Sequence, residues 1–113
     1  MFIKAIPILP VFEMLATISF YESKLGFTAI NMGSWGIVKR ANVEIQLNLI
    51  AKNNPFNANS CCIYTINIED YYAELSSKEL VFPAGRLTIK QGGIAEFFIQ
   101  DNNGNTLFFR EIN

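Results

Sequence analysis

The chain has 113 residues, of which 50% are hydrophobic and 17% are charged, and these values fit one soluble, well-packed domain. Nine basic and ten acidic residues leave a formal charge of −1 without a basic stripe, which argues against nucleic acid as a partner. The chain contains no histidine, the commonest metal ligand and the usual general base near neutral pH.

The N-terminal stretch, residues 1–11, is apolar and is interrupted by Pro7 and Pro10. It lacks the charged segment, apolar core and cleavage site of a secretory signal, and no apolar run in the chain approaches the roughly 18 residues of a membrane span. We therefore expect a cytoplasmic protein without a membrane partner. Residues 3–9 are predicted to form a short strand with the prolines at its edges.

A helix is predicted over residues 13–25, followed by three strands. An apolar stripe of helical period marks this helix, at Leu15, Ile18, Phe20, Tyr21 and Leu25. Gly26 suits the left-handed position that follows a helix end. The strands are predicted over residues 27–31, 35–39 and 43–50, the last two joined by a turn at residues 40–42.

Residues 43–50 give the clearest strand signal in the chain. Polar and apolar residues alternate strictly, with Val43, Ile45, Leu47 and Leu49 on one face and Glu44, Gln46 and Asn48 on the other. Helices are expected to cover the apolar face. The polar face would then be solvated or would line a cavity.

The second half repeats this order after a turn-rich linker at residues 51–60. We predict a strand over residues 61–67, a helix over 69–78 capped by Asn67, strands over 80–82 and 87–90, and a hairpin of strands 94–100 and 106–111. An aromatic pair in each helix, Phe20-Tyr21 and Tyr71-Tyr72, supports a repeat. The predicted fold is one α+β domain over residues 1–113, built from two βαβββ modules of about residues 1–54 and 55–113.

The two cysteines, Cys61 and Cys62, are adjacent. Neighbouring strand residues point to opposite faces, so a disulfide between them would be strained. We interpret them as two small buried residues in a reducing compartment. A redox or nucleophilic role is the alternative, although the chain has no histidine to activate a thiolate.

Four segments carry a further signal, and together they span nearly the whole chain. They are Val11-x-x-Met14-x-x-x-Ile18-x-Phe20-Tyr21-x-x-x-Leu25-Gly26-Phe27, then Ser60-Cys61-Cys62-Ile63 with Ile68-Glu69-Asp70-Tyr71-Tyr72, then Gln91-Gly92-Gly93-Ile94-Ala95-Glu96-Phe97, and finally Asp101-Asn102-Asn103-Gly104-Asn105-Thr106-Leu107. In this order they resemble the glyoxalase/bleomycin resistance family of the vicinal-oxygen-chelate superfamily, and its bleomycin resistance branch most. Gln91 departs from the pattern, because the family has an aromatic residue there.

This resemblance implies a curved mixed sheet with a concave cavity, helices on its outside, and a homodimer that often exchanges its N-terminal strand. It also implies ligand grooves at the subunit interface. Enzymes of the superfamily hold a divalent metal on the concave wall through His and Glu. The matching positions here are Ile6, Gln46, Ser60 and Phe108, and none is His, Asp or Glu. We therefore expect no metal, no cofactor and no catalytic residue.

Strand alternation and the resemblance together predict a pocket with aromatic walls and a few polar groups, as small-molecule sites commonly have. The predicted ligand-binding residues are Trp35, Glu44, Gln46, Asn48, Ser60, Cys62, Tyr64, Glu96, Phe98, Phe108 and Arg110. Trp35 is the leading ligand contact, and Glu44 and Glu96 would hold a cationic group. Plain packing is the alternative for the aromatic residues, and a solvated strand face is the alternative for the glutamates.

These observations predict a protein that binds a small aromatic or cationic molecule without chemistry. An antibiotic of the bleomycin type, or another aromatic drug, is the expected ligand, and sequestration would confer resistance by lowering its free concentration. The alternative is a glyoxalase-like lyase or dioxygenase with an absent or atypical metal site, the latter formed by Glu44, Glu96 and Cys62. A dimeric module that acts through protein contacts is a further alternative.

Overall fold

The first half of the chain forms a four-stranded sheet covered by one helix. In the computed structural model, which describes residues 1–54 and 59–112, its elements are β1 (Ile8–Val11), α1 (Met14–Leu25), β2 (Thr28–Asn31), β3 (Trp35–Arg40) and β4 (Val43–Leu49). The strand order is β1-β4-β3-β2. β1 runs parallel to β4, and the other neighbours are antiparallel.

The second half repeats this arrangement. Its elements are β5 (Ser60–Tyr64), α2 (Ile68–Ser77), a 3₁₀ turn (Pro83–Gly85), β6 (Thr88–Lys90), β7 (Ile94–Gln100) and β8 (Thr106–Ile112). The strand order is β5-β8-β7-β6, and β5 runs parallel to β8. The predicted α+β fold of two βαβββ modules is therefore confirmed. No helix among the described residues has the length and apolarity needed to cross a membrane.

Helix α1 turns most of the predicted apolar stripe to the core, since Tyr21 and Leu25 are buried and Ile18 and Phe20 pack against the buried cluster. Its buried residues are Met14, Thr17, Tyr21 and Leu25, whereas Leu15 is 75% exposed. The buried positions are spaced by three or four residues and therefore lie on one side of the helix. Gly26 ends the helix in the left-handed conformation, with φ of 75°, as predicted.

Three predicted strands differ clearly from the observed ones, and one of them, predicted over residues 61–67, is β5, which already ends at Tyr64. β1 begins at Ile8 rather than at residue 3, and it contains Pro10, which an edge strand tolerates because an outer N–H group is not needed for pairing. Residues 80–82 form no strand. Glu79 takes a left-handed conformation, and Leu80 donates its N–H to the carbonyl of Leu75, so this segment completes the helix end instead.

The entry to helix α2 also differs from the prediction. Asn67 is the N-cap residue, but its φ is 54° and its side chain makes no capping bond. The carboxylate of Glu111 accepts the N–H of Ile68 at 2.8 Å instead. Of the predicted linker, residues 55–58 lie outside the described residues, and Ser60 already belongs to β5.

The hairpin between β7 and β8 fastens the second module to the first. Asn105 donates its Nδ2 to the carbonyl of Pro10 at 2.7 Å, and the N–H of Phe12 bonds to Oδ1 of Asn103 at 2.9 Å. The helix-covered faces of both sheets contribute to one buried apolar cluster, which includes Leu9, Ile45 and Leu47 from the first and Phe97, Leu107 and Phe109 from the second. The opposite face of each sheet is left without a helix and is the surface on which most of the predicted site residues lie.

Candidate functional site

The first sheet has an uncovered face, which we call the first open face. In β4, Ile45 and Leu47 are buried in the apolar cluster, and the residues that alternate with them point the other way. The register places Trp35 opposite Asn48 and Lys39 opposite Glu44. The strand residues of this face are Ile8, Pro10, Thr28, Ile30, Trp35, Ile37, Lys39, Glu44, Gln46 and Asn48. Four of the predicted site residues, Trp35, Glu44, Gln46 and Asn48, are among them.

The second open face is the corresponding side of the second sheet. Its residues alternate with buried Ala95, Phe97 and Ile99 of β7 and with buried Leu107 and Phe109 of β8. They are Ser60, Cys62, Tyr64, Thr88, Lys90, Ile94, Glu96, Phe98, Gln100, Thr106, Phe108, Arg110 and Ile112. The other seven predicted site residues, Ser60, Cys62, Tyr64, Glu96, Phe98, Phe108 and Arg110, therefore share this face.

Trp35 borders a shallow depression on the first open face. The depression measures about 470 Å³ and is lined by Ser34, Trp35, Gln46, Asn48 and Leu49. The Trp35 side chain is 38% exposed, and Gln46 donates its Nε2 to Oδ1 of Asn48 at 3.0 Å. The accessible indole of Trp35 can stack on a planar ring of a ligand. The neighbouring amides of Gln46 and Asn48 can form hydrogen bonds with polar groups at the edge of that ring.

Glu44 on the first open face is held by two lysines. Nζ of Lys4 lies 2.7 Å from Oε1 of Glu44, and Nζ of Lys39 lies 3.7 Å from the same atom. The hydrogen bond from Lys4, with a smaller effect of both positive charges, holds the pKa of Glu44 below its usual value. The carboxylate is therefore already neutralised by the chain itself.

Glu96 on the second open face is also held by two cations. Its side chain is only 9% exposed, Nε of Arg110 donates to its Oε2, and Nζ of Lys90 lies 3.7 Å from its Oε1. The hydrogen bond to Glu96 raises the pKa of Arg110. The guanidinium of Arg110 lies 5.6 Å from the ring centre of Phe108, so the ion pair adjoins an aromatic surface.

Three phenylalanines form that aromatic surface. The rings of Phe98 and Phe108 are 5.4 Å apart, and the ring of Phe82 meets Phe98 edge-on at 5.3 Å. Phe82 precedes the 3₁₀ turn and was not among the predicted site residues. Its position beside Phe98 follows from the packing of that turn against β7, which no local sequence pattern indicates.

The two cysteines differ in environment. They point to opposite faces of β5, as predicted, and both thiols are free. Cys61 faces the core, and burial raises its pKa to about 11. Cys61 is half-buried and Cys62 is exposed beside Phe108, so the prediction that both are buried is wrong. Partial desolvation raises the pKa of Cys62, and the charge of Arg110 opposes that rise.

The four family metal positions offer a poor donor set. Gln46 lies on the first open face, Ser60 and Phe108 lie on the second, and Ile6 precedes β1. Neutral amide and hydroxyl oxygens hold a transition metal weakly, and Ile and Phe supply no donor. Within residues 1–54 and 59–112, no group of three or more Cys, Asp or Glu side chains is placed to hold a metal ion. Glu44 is not on the face that Glu96 and Cys62 share.

A cleft that the sequence patterns did not indicate lies between the two modules. It measures about 480 Å³, and Arg40, Tyr71 and Glu74 are among its lining residues. The guanidinium of Arg40 lies 5.4 Å from the ring centre of Tyr71 and donates to the carbonyl of Leu25 at 2.7 Å. Tyr64 and Tyr71, which the sequence patterns singled out for other reasons, both line this cleft.

The comparison with solved structures identifies the fold. The chain is similar to a bleomycin resistance determinant encoded on the transposon Tn5 (TM-score 0.85, 21% identity, 99% of each chain covered) and to a bleomycin-binding protein complexed with bleomycin (TM-score 0.80, 22% identity, 99% and 100% covered). It is also similar to a glyoxalase/bleomycin resistance protein/dioxygenase superfamily member from Sphaerobacter thermophilus (TM-score 0.75, 17% identity, 96% and 98% covered). No protein-family model and no curated protein matches the sequence.

The protein therefore has the glyoxalase/bleomycin resistance fold. The resemblance inferred from the four sequence segments is confirmed at this level.

Proposed function

We propose that this protein binds and sequesters a small aromatic or heteroaromatic molecule, such as an antibiotic, without chemical conversion. The observation that carries the proposal is the accessible Trp35, which lines one depression together with the hydrogen-bonded amides of Gln46 and Asn48. The aromatic surface of Phe98 and Phe108 on the second open face supports it. One solved structure of the same fold, with 22% identity, is a bleomycin-binding protein in complex with bleomycin. Sequestration needs only affinity, because it acts by lowering the free ligand concentration.

The proposed assembly is a homodimer. The eleven predicted site residues fall into two groups on two sheets, and the contacts described above for their side chains stay within one face. A second copy could bring the first open face of one chain opposite the second open face of its partner. The fully exposed apolar side chains of Met1, Phe2 and Ile3, just before edge strand β1, support exchange of the N-terminal segment.

Sedimentation velocity tests the assembly. The whole chain is expected to sediment as a dimer, and deletion of residues 1–3 is expected to weaken it by removing apolar contact area. A monomer at high protein concentration would contradict the proposed assembly.

A thermal-shift screen with bleomycin and other aromatic antibiotics tests the proposed function. A ligand at 100 times its dissociation constant stabilises the folded protein by about 2.7 kcal/mol, which gives a readily measured shift. The screen is repeated on Trp35→Ala and on Leu15→Ala, a control that removes an exposed apolar side chain from α1. A shift that is lost only with Trp35→Ala supports the site, whereas a shift that survives in Trp35→Ala removes Trp35 from it.

Metal titration tests the absence of catalysis through a metal. Calorimetry with Zn²⁺, Ni²⁺ and Mn²⁺ is expected to show no tight, stoichiometric binding, because the family positions offer only two neutral oxygens. Tight binding of one ion per chain would contradict the proposal and would favour an enzyme.

A further inference from the structure

Each open face carries one carboxylate and two cations that contact it. On the first face Glu44 meets Lys4 and Lys39. On the second face Glu96 meets Arg110 and Lys90. Among the described strand residues of these faces no other side chain is formally charged, so each face has an excess of one positive charge. The faces are thus positive, although the whole chain carries a formal charge of −1.

In each trio one cation holds the carboxylate closely and the other more loosely. Lys4 and Arg110 make the direct hydrogen bonds to the two glutamates. Lys39 and Lys90 lie at 3.7 Å, beyond hydrogen-bond distance, and their side chains are 53% and 56% exposed. The ammonium group of a lysine in this position keeps N–H donors available for a hydrogen bond to a ligand.

A ligand cation would meet unfavourable conditions on either face. To reach Glu44 or Glu96 it would have to displace a cation that already neutralises the carboxylate, and Glu96 is in addition nearly buried beneath Arg110 and Lys90. The ligand cation would be repelled by the lysine or arginine already at the carboxylate. Displacing that residue would leave its own positive charge without a partner. The expectation that these glutamates hold a cationic group is therefore not supported by their surroundings.

We propose that the ligand of an open face is an aromatic molecule that bears an anionic group, such as a carboxylate or a sulfonate, which Lys90 binds on the second face and Lys39 on the first. This inference rests on the proposed small-molecule function and defines the charge of its ligand. On the second face Phe98 is two residues along β7 from Glu96, or about 7 Å. A fused two-ring acid is long enough to place its rings on Phe98 and Phe108 and its anionic group at Lys90.

Three probes that share one ring system test the proposal. They are 2-naphthoate, 2-naphthylmethylammonium and the uncharged 2-naphthalenemethanol, titrated by calorimetry into the intact protein at low ionic strength. The anion is expected to bind about tenfold more tightly than the ammonium, because the two ligands differ in the sign of their interaction with an unneutralised cation about 4 Å away. The preference is expected to shrink as salt screens the charges.

Matched variants show which cations are responsible. Lys39→Gln and Lys90→Gln, alone and together, are expected to reduce the preference for the anion several-fold. Lys52→Gln is the control, because it changes the net charge equally, but Lys52 pairs with Glu13 at 3.9 Å outside both open faces. Circular dichroism checks that each variant is folded.

The outcomes separate this inference from the proposed function. If the ammonium or the uncharged probe binds as tightly as the anion, or if both lysine variants keep the full preference, the charge assignment is overturned while small-molecule binding stands. If none of the three probes binds, the assignment of an anionic aromatic ligand is overturned, and the thermal-shift screen with antibiotics decides separately whether small-molecule binding stands.

Discussion

Tyr21 donates a hydrogen bond of 2.8 Å to Oδ2 of Asp101, and the two residues lie 80 positions apart in the chain. Both are buried. Asp101 also accepts the N–H groups of Asn103 at 2.8 Å and Asn105 at 3.0 Å, so one carboxylate closes its own hairpin and binds the helix of the other module. This contact joins the two modules through polar groups that are almost wholly buried.

Tyr21→Phe is expected to destabilise the protein by about 1.5–3 kcal/mol, the range for a hydrogen bond to a charged group. The substitution keeps the ring, so the loss reports on the hydroxyl. Tyr64→Phe is the control, since Tyr64 is 66% exposed, and it is expected to change stability by less than about 0.5 kcal/mol. Urea unfolding measures both variants. Equal effects of the two substitutions would show that the buried bond contributes little.

Stability is expected to fall at alkaline pH because of the same residue. Burial, and then the adjacent charge of Asp101, raise the pKa of Tyr21 far above its ordinary value of 10.0. The stabilisation that the neutral Tyr21 hydroxyl gives to the folded protein is therefore complete below about pH 10. Above that pH the unfolded chain releases the tyrosine proton and the folded chain keeps it. The free energy of unfolding then falls by about 1.4 kcal/mol per pH unit. The free energy of unfolding, measured between pH 8 and 12, should decline less steeply in Tyr21→Phe. The same slope in both proteins would contradict this cause.

Two leucines of α1 are expected to respond differently to truncation. Leu25 is fully buried, and Leu25→Ala should cost about 2–5 kcal/mol, because it removes buried contacts and leaves a cavity. Leu15 is 75% exposed, and Leu15→Ala should change stability by less than about 0.5 kcal/mol. Thermal unfolding of both variants checks the orientation of the helix. A large loss in Leu15→Ala would mean that its exposed position is covered in solution.

Gly85→Ala is expected to disturb the second open face. A Cβ at this position would lie 2.4 Å from the carbonyl oxygen of Phe98, so the 3₁₀ turn and β7 must move apart. Overpacking of this kind costs about 1–3 kcal/mol. Ala84→Ser, one residue earlier and exposed, is the matched control and should be nearly neutral. Unchanged stability in Gly85→Ala would show that the turn is free to shift.

The two thiols should differ in reactivity. Cys62 is exposed, whereas burial raises the pKa of Cys61 to about 11, which leaves roughly one thiolate in a thousand at pH 8. Iodoacetamide at pH 8 is therefore expected to modify one cysteine of the folded protein, identified as Cys62 by peptide mass spectrometry. Cys62→Ser should abolish this fast modification, and denaturant should make both thiols reactive. Modification of Cys61 first would contradict the placement of the pair on β5.

Local patterns predicted the parts of this molecule that depend on local geometry. The alternation over residues 43–49 indicated both the strand and its two faces, because a strand has a period of two whatever it packs against. The open-face positions of Glu44, Gln46 and Asn48 followed directly. The pairing of Lys39 with Glu44 could also have been read from that alternation once β3 and β4 were placed in register.

Features that depend on distant residues were not predicted. The apolar stripe of α1 is broad, and which edge of it is left exposed depends on what packs against the helix, including Asp101, which accepts the hydroxyl of Tyr21 from 80 positions along the chain. Residues 80–82 are apolar enough for a strand, but the bond from Leu80 to Leu75 completes the helix end instead. Lys4 reaches Glu44 only because β1 pairs in parallel with β4, and no pattern within residues 1–11 shows that pairing.

The hairpin at residues 101–105 holds the corner before α1 through the carbonyl of Pro10 and the amide of Phe12. A carbonyl is present at every position, and only proline lacks the amide hydrogen, so substitutions at either site leave the attachment largely intact. Substitutions can thus change this corner while two side chains of one short loop, Asn103 and Asn105, maintain the attachment.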